Sequence, residues 1–188
     1  LVEIHKKENL SFRNVVVFSL DEFFPISPKE QQSRNWLIHE SLLDHVDILP
    51  ENIHIPDGTL PQDKVAAFCR DYEAKIEEYG GLDLLFLGTG VQGQLGFNEP
   101  GSYTNTRTRL VALGNESRQA VSSIFYGIDN VPRKAITMGL GTILKAKRII
   151  LMCLAGTDPR QNAVAGRHLP VARAFHPHGG TVALQEGG

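Results

Sequence analysis

Two stretches of the chain place polar side chains where apolar runs end, and both could do chemistry. The first, "FSLDEFF", sets Asp21 and Glu22 directly after the buried strand read in "RNVVVFSL". A carboxylate at the carboxyl end of a strand in an α/β sheet faces the ligand crevice. Partial desolvation there raises its proton affinity, which suits a general base. The same dipeptide also fits an acidic loop leading into the next helix. The second stretch, "LLFLGTGVQGQLGFNEPGS", runs from Leu84 to Ser102 and carries Gly88, Thr89, Gly90, Gln92, Gly93, Gln94, Asn98 and Glu99. Its glycines fit the G-x-G-x-x-G spacing of a dinucleotide-binding turn, a weak signal unless a long helix follows and an acidic residue ends the next strand. Here Gly96, Pro100 and Gly101 break any helix within a few residues, and Asn115-Glu116 does not end an apolar run. The nucleotide reading therefore fails and no cofactor is expected. What remains is a turn whose backbone N–H groups face a ligand, followed by a carboxylate.

Strands and helices must position these residues. "RNVVVFSL", "LDLLFLG", "KAITMGL" and "RIILMCLA" are continuously apolar and read as buried strands, with "RTRLVAL" a further strand or extended segment. "SPKEQQSRNWLIHESLLDHV" reads as a helix with Ser27 as N-cap, Pro28 at its first position and Glu30 completing a capping box. "PQDKVAAFCRDYEAKIEEYGG" reads as a second helix, with Val65, Phe68, Cys69, Tyr72 and Ile76 on its inner face and Gly80-Gly81 as its stop. "GTILKA" is a short helix, Asp158 to about His168 is weakly helical, and "GGTVAL" is a closing strand. Alternating helices and apolar strands predict an α/β fold, a mostly parallel Rossmann-like sheet with helices on both faces, in one domain spanning residues 1–188.

The totals exclude several classes. The 188 residues carry a net charge of −2, so neither nucleic acid nor an anionic membrane surface is an expected partner. No apolar run reaches the roughly eighteen residues that span a bilayer. Cys69 and Cys153 sit in apolar patterns and read as buried, reduced thiols, which points to a cytoplasmic setting. The opening "LVEIHKKENLSF" lacks a Met and reads as the tail of a helix whose start is absent.

Taken in order, "FSLDEF", "LLDHVDILPENIHIPDG", "GTGVQGQLGFNEPGS", "TRTRL", "MGLGTILKAKRIILMCLAG" and "FHPHGG" resemble the glucosamine-6-phosphate deaminase/isomerase family, whose fold the 6-phosphogluconolactonases share. The "DEF" and "GFNEPGS" segments favour the deaminase branch. The resemblance implies a small sugar phosphate as substrate. It gives Asp21 the role of the base that takes the C2 proton of the open-chain sugar to form an enediol. Ammonia then leaves, and the product is fructose 6-phosphate. In the family a loop histidine opens the sugar ring, tuned by an aspartate two residues before it and by the glutamate of "FNEP". Glu99 keeps that glutamate, whereas Gln92 and Gln94 replace the aspartate and the histidine. Glutamine hydrogen-bonds but does not titrate, so Gln94 could hold a sugar hydroxyl without shuttling a proton. A catalytically degenerate sugar-phosphate-binding or regulatory module is therefore the alternative to an active enzyme.

Phosphate contacts also depart from the pattern. The family arginine after "TRTRL" falls at Ser123, with Arg118 five residues earlier, and the family lysine after the late strand falls near Pro159, beside which Arg160 could substitute. The family's Gly-Ser-Thr phosphate turn would lie before Leu1. Arg109 matches a family effector position, but Val111 and Ala112 beside it are not polar. A homo-oligomer is compatible with the resemblance. His176 and His178 form a pair without a third ligand, so no metal is expected; His39, His45 and His54 read as helix-surface or loop residues.

Overall fold

The apolar runs form strands at Val17–Phe18, Leu85–Gly88, Lys134–Thr137 and Ile149–Met152, but Asp21 and Glu22, expected to follow a strand, open one of their own at Asp21–Phe24, and Ile53–His54 forms a strand outside any apolar run; the strands pair in two ways. The computed structural model describes residues 1–90 and 92–152. Its elements are α1 (Val2–Glu8), β1 (Val17–Phe18), β2 (Asp21–Phe24), α2 (Arg34–Ser41), β3 (Ile53–His54), α3 (Gln62–Glu78), β4 (Leu85–Gly88), β5 (Arg109–Ala112), α4 (Asn115–Val121), β6 (Lys134–Thr137), α5 (Leu140–Ile143) and β7 (Ile149–Met152). β1 pairs with β3 and β4 with β7, both in parallel, as the α/β reading requires. β2, β6 and β5 form a separate antiparallel sheet in that order, which continuous apolar runs alone do not distinguish. The segments expected around Asp158–His168 and at "GGTVAL", and the second cysteine, lie outside the described residues.

Helix α3 carries Val65, Cys69, Tyr72 and Ile76 along one buried face, the helical spacing that the sequence displays. Tyr72 and Ile76 pack with Leu85, Leu87 and Leu151 from the β4–β7 pair and with Met138 and Ile143. Val65 and Cys69 meet Phe24 and Ile136 on one face of the antiparallel sheet. Phe23, Ala135, Phe97 and Phe125 fill the other face. Burial pushes the Cys69 thiol up to about 11, so it stays protonated and inert at neutral pH. The Tyr72 hydroxyl lies 2.8 Å from the Ser19 carbonyl and 3.0 Å from that of His54, tying α3 to the ends of β1 and β3. His54 is thus a strand residue rather than a loop one, and its ring stacks on Phe18 at 4.6 Å between centroids.

Two boundaries differ from the sequence reading, each for a physical reason. The first strand is shorter, because the chain is still turning at Val15, whose N–H donates to the Phe12 carbonyl at 2.9 Å. The next helix starts at Arg34 rather than near Ser27, with Ser33 as its cap. Glu30 does reach back as in a capping box, its Oε1 accepting from the Ser27 N–H at 3.0 Å, but on a turn, and the Ser27 hydroxyl accepts from the Lys29 N–H at 3.3 Å. What starts α2 is distant in sequence. The buried Glu22 carboxylate accepts from the N–H groups of Phe23 (2.8 Å), Arg34 (2.9 Å) and Asn35 (2.9 Å) and from the Ser33 hydroxyl (2.8 Å). A carboxylate at a helix N-terminus satisfies otherwise unpaired donors and complements the helix dipole. Glu73 does similar work on α3, accepting from the Thr108 N–H and the Thr142 hydroxyl, each at 2.6 Å, and pairing with Arg107 at 2.8 Å.

Replacing Glu22 by alanine strands this set of donors at the start of α2. Urea unfolding should show a loss on the order of 3 kcal/mol, the cost of several buried polar groups left unpaired.

Candidate active site

The antiparallel register brings three sequence-distant side chains into one row. Asp21 on β2 stands opposite Thr137 on β6, and Thr137 stands opposite Arg109 on β5. Directly opposed residues share a face of the sheet. The second half of the glycine-rich stretch lies along this row. The Phe97 N–H donates to Thr137 Oγ1 at 3.2 Å, and Arg109 donates from Nη1 to Asn98 Oδ1 at 2.9 Å. Gly96 has φ +57, and a Cβ there would lie 2.9 Å from Thr137 Oγ1 and 3.3 Å from Asp21 Oδ2. Only glycine permits both this backbone conformation and this approach.

Asp21 is buried, and its Oδ1 pairs with Arg34 Nε at 3.3 Å. Burial raises the proton affinity of its carboxyl above the ordinary range, and the Arg34 charge offsets this only in part. The site base inferred from sequence is therefore ion-paired at one oxygen and turned toward the glycine loop at the other. Its acidic neighbour Glu22 is spent on the start of α2, so the two halves of the "DE" pair do different work.

The first half of the stretch folds onto itself. Gly88 ends β4, and Thr89 bridges Leu95 across the turn. The Gly90 N–H donates to the Gln94 carbonyl at 2.8 Å, and the exposed Gln92 donates its N–H to Gln94 Oε1 at 2.9 Å. The Gln94 side chain lies so close over Gly90 that a Cβ there would stand 2.3 Å from its amide carbon. Gln94 Nε2 reaches Ser117 Oγ on α4 at 3.3 Å, and Glu99 Oε1 accepts from the Gly114 N–H at 2.8 Å, just before that helix. One loop thus joins Asp21 at the sheet to Gln94 and Glu99 at the start of α4. Asn98 is a brace within it: its Nδ2 donates to the Leu95 and Met138 carbonyls at 2.9 and 2.7 Å while its Oδ1 holds Arg109.

The family assignment follows from the whole chain. A family model described as glucosamine-6-phosphate isomerases/6-phosphogluconolactonase matches residues 1–182. The chain belongs to this family. It is 48% identical over 152 residues to a glucosamine-6-phosphate deaminase-like protein of Bacteroides thetaiotaomicron, covering 81% of this chain and 23% of that protein. It is 46% identical over 152 residues to the glucosamine-6-phosphate deaminase of Halothermothrix orenii, covering 81% of this chain and 62% of that one. A solved monomeric glucosamine-6-phosphate deaminase superposes with a TM-score of 0.77 at 40% identity, over 81% of this chain and 62% of its own. The 6-phosphogluconolactonase of Thermotoga maritima shares the fold, with a TM-score of 0.61 at 19% identity over 80% of this chain and 62% of its own. The chain thus spans less than two thirds of the length of these relatives.

Set against other family expectations, the arginines divide. Arg109 is turned inward on Asn98 and Ser102 rather than outward to an effector. Arg118 donates from Nη2 to the Ile128 carbonyl at 2.6 Å, and Ser123 is exposed. Arg160, His176 and His178 lie outside the described residues, and among those described no group of three or more His, Cys, Asp or Glu could hold a metal. Among the described residues, too, no helix is long and apolar enough to cross a membrane. An open groove of about 560 Å³ between α3 and β5, lined by Val65, Cys69, Glu73 and Arg107, includes neither Asp21 nor Glu99. Sequence reasoning missed Arg34. The expected helix start at Ser27 put Arg34 in mid-helix; only the observed start after Ser33 sets this cation in a first turn, where it opposes the helix dipole.

The raised proton affinity of Asp21 makes stability pH-dependent in a defined sense. Between the ordinary carboxylate range and the raised value the folded state holds a proton that the unfolded state releases, so stability falls as pH rises through this window. Asp21→Asn removes that penalty. Thermal unfolding at pH 7 should show a higher Tm for the variant, with the difference shrinking as the pH is lowered toward about 4, the ordinary range of an aspartate.

Proposed function

We propose that this chain carries the base and the loop of a hexosamine-phosphate deaminase/isomerase. The observation that carries the reading is a buried carboxylate of raised proton affinity, Asp21, lying against a glycine loop that also holds Gln94 and Glu99. Asp21 takes the C2 proton of the open-chain amino sugar phosphate, and the electron pair moves into a C1–C2 enolamine, with the hydroxyl on C1 and the amino group on C2. Return of a proton to C1, addition of water at C2 and departure of ammonia leave the 2-ketose phosphate. A carboxyl that holds its proton more tightly than usual is better matched to this exchange near neutral pH. The backbone of Gly88, Thr89 and Gly90 and the amide of exposed Gln92 are the loop's share of the sugar contacts, and Arg160 is the cation proposed for the phosphate. Substrate is a small sugar phosphate, and no cofactor enters the step.

A second reading, a sugar-phosphate-binding module with lost catalysis, is favoured by one observation. The Gln94 amide is already used on the Gln92 N–H and on Ser117, and it cannot exchange a proton. The two readings separate in one assay. Incubated with glucosamine 6-phosphate, an active chain releases ammonia and fructose 6-phosphate in equal amounts, and Asp21→Asn lowers the rate by about 10²–10⁴-fold, the usual worth of a general base. A binding module releases neither until Gln92→Asp and Gln94→His are introduced together. Ammonia release that survives Asp21→Asn unchanged overturns the lead reading.

A further inference from the structure

We propose that Arg34 is a positioning residue for Asp21, holding Oδ1 in an ion pair so that Oδ2 is the oxygen presented to substrate beneath the glycine loop. The inference rests on the deaminase/isomerase reading only in that Asp21 is the base there. The two carboxylate oxygens have different surroundings. Oδ1 is 3.3 Å from Arg34 Nε, and Oδ2 lies 3.3 Å from where a Cβ on Gly96 would stand. A carboxylate pinned at one oxygen cannot rotate the other out of line, and orientation of this kind is a large part of a base's efficiency.

Arg34 is itself fixed from two sides. Its backbone N–H is held by Glu22 at 2.9 Å, which sets where α2 begins. Its guanidinium carbon sits 5.1 Å from the centre of the Phe23 ring, and Phe23 is packed against Phe97 and Phe125. The chain thus supports the guanidinium through a strand, a helix start and an aromatic cluster. Helix α2 gains nothing from a cation in its first turn, so the contact with Asp21 is the reason for the residue.

The charged and titratable groups around Asp21 come from three elements. Arg34 approaches from α2, Glu22 neighbours it on β2, and on α3 the neutral Tyr72 phenol feels the Asp21 charge. Thr137 on β6 and Gly96 in the loop are uncharged. Glu22 and burial favour the protonated carboxyl, and Arg34 opposes them. Removing the guanidinium therefore moves the titration of Asp21 to higher pH, and the acid limb of the rate profile moves with it.

The test uses the full chain with Arg34→Gln and Arg34→Lys. The Asp21 carboxyl is followed by carbon NMR against pH, and kcat and KM are measured for glucosamine 6-phosphate across the same range. Arg34→Gln should raise the titration midpoint, shift the acid limb upward and lower kcat by about tenfold or more for each unit of midpoint shift beyond the assay pH, with KM nearly unchanged. Arg34→Lys should restore the midpoint, because the charge remains, but not the full kcat, because a point charge does not reproduce the guanidinium geometry. Should Arg34→Gln not fold by circular dichroism, Arg34→Met, which keeps the aliphatic stem against Phe23, takes its place. An unmoved midpoint overturns the proposal, and so does a raised KM with kcat intact, which would make Arg34 a substrate contact. If the parent chain releases no ammonia, the functional reading falls while the carboxyl titration still decides the role of Arg34.

Discussion

The glycine loop has to lie against a three-stranded sheet, and most of the site follows from that constraint. At Gly96 there is no room for a side chain between the backbone and the Thr137 hydroxyl. The next two residues then fall into place, with the Phe97 N–H on Thr137 and the Asn98 side chain on Arg109. Thr137 is central in both senses. It stands on the middle strand, opposite Asp21 and Arg109, and it is fully buried. A small hydroxyl there can accept from the loop and still leave space for the backbone above it, which a larger apolar residue could not do.

Around this contact the acidic residues are sorted by what surrounds them. Glu22 is surrounded by hydrogen-bond donors and serves the architecture, since four groups converge on one carboxylate. Asp21 has one cationic partner and is otherwise buried, so its charged form is held less securely and it takes up a proton more readily. Glu73 repeats the architectural role on α3, where it gathers Thr108, Thr142 and Arg107. Adjacent residues of the same type thus end in opposite roles because a strand sends successive side chains to opposite faces.

The α/β class, helix α3 and the strands of the β4–β7 pair were legible in the sequence because burial writes them there as periodicity and as apolar runs, whereas β3, two half-buried residues long, carries no such pattern. The "DEF" and "GFNEPGS" segments also disclosed the family. Less legible was anything fixed by a distant partner. Ser27 and Glu30 have the composition of a helix start and make one of its hydrogen bonds, yet the helix begins after Ser33 because Glu22, eleven positions before that cap, supplies the acceptor. The antiparallel pairing of β2, β6 and β5 was hidden for a related reason: apart from exposed Ala112 at the end of β5, the three strands are buried or half-buried at every position, and near-continuous burial erases the alternation that marks an open sheet. Asn98 sits in the motif as a ligand contact would, and only coordinates reveal that its donors and its acceptor are already committed.

Strand β6 has a consequence for motion. Ala135, Ile136 and Thr137 have no exposed surface, and each is flanked by a strand on either side. Amide hydrogens in such a strand exchange with solvent only when the domain opens as a whole. Gln92, a few residues up the loop that rests on this strand, is exposed, and its N–H bonds within the loop, to Gln94 Oε1. The loop therefore rests on a closed floor while its Gln92 faces solvent, so a ligand can meet Gln92 without asking the platform beneath the carboxylate to move.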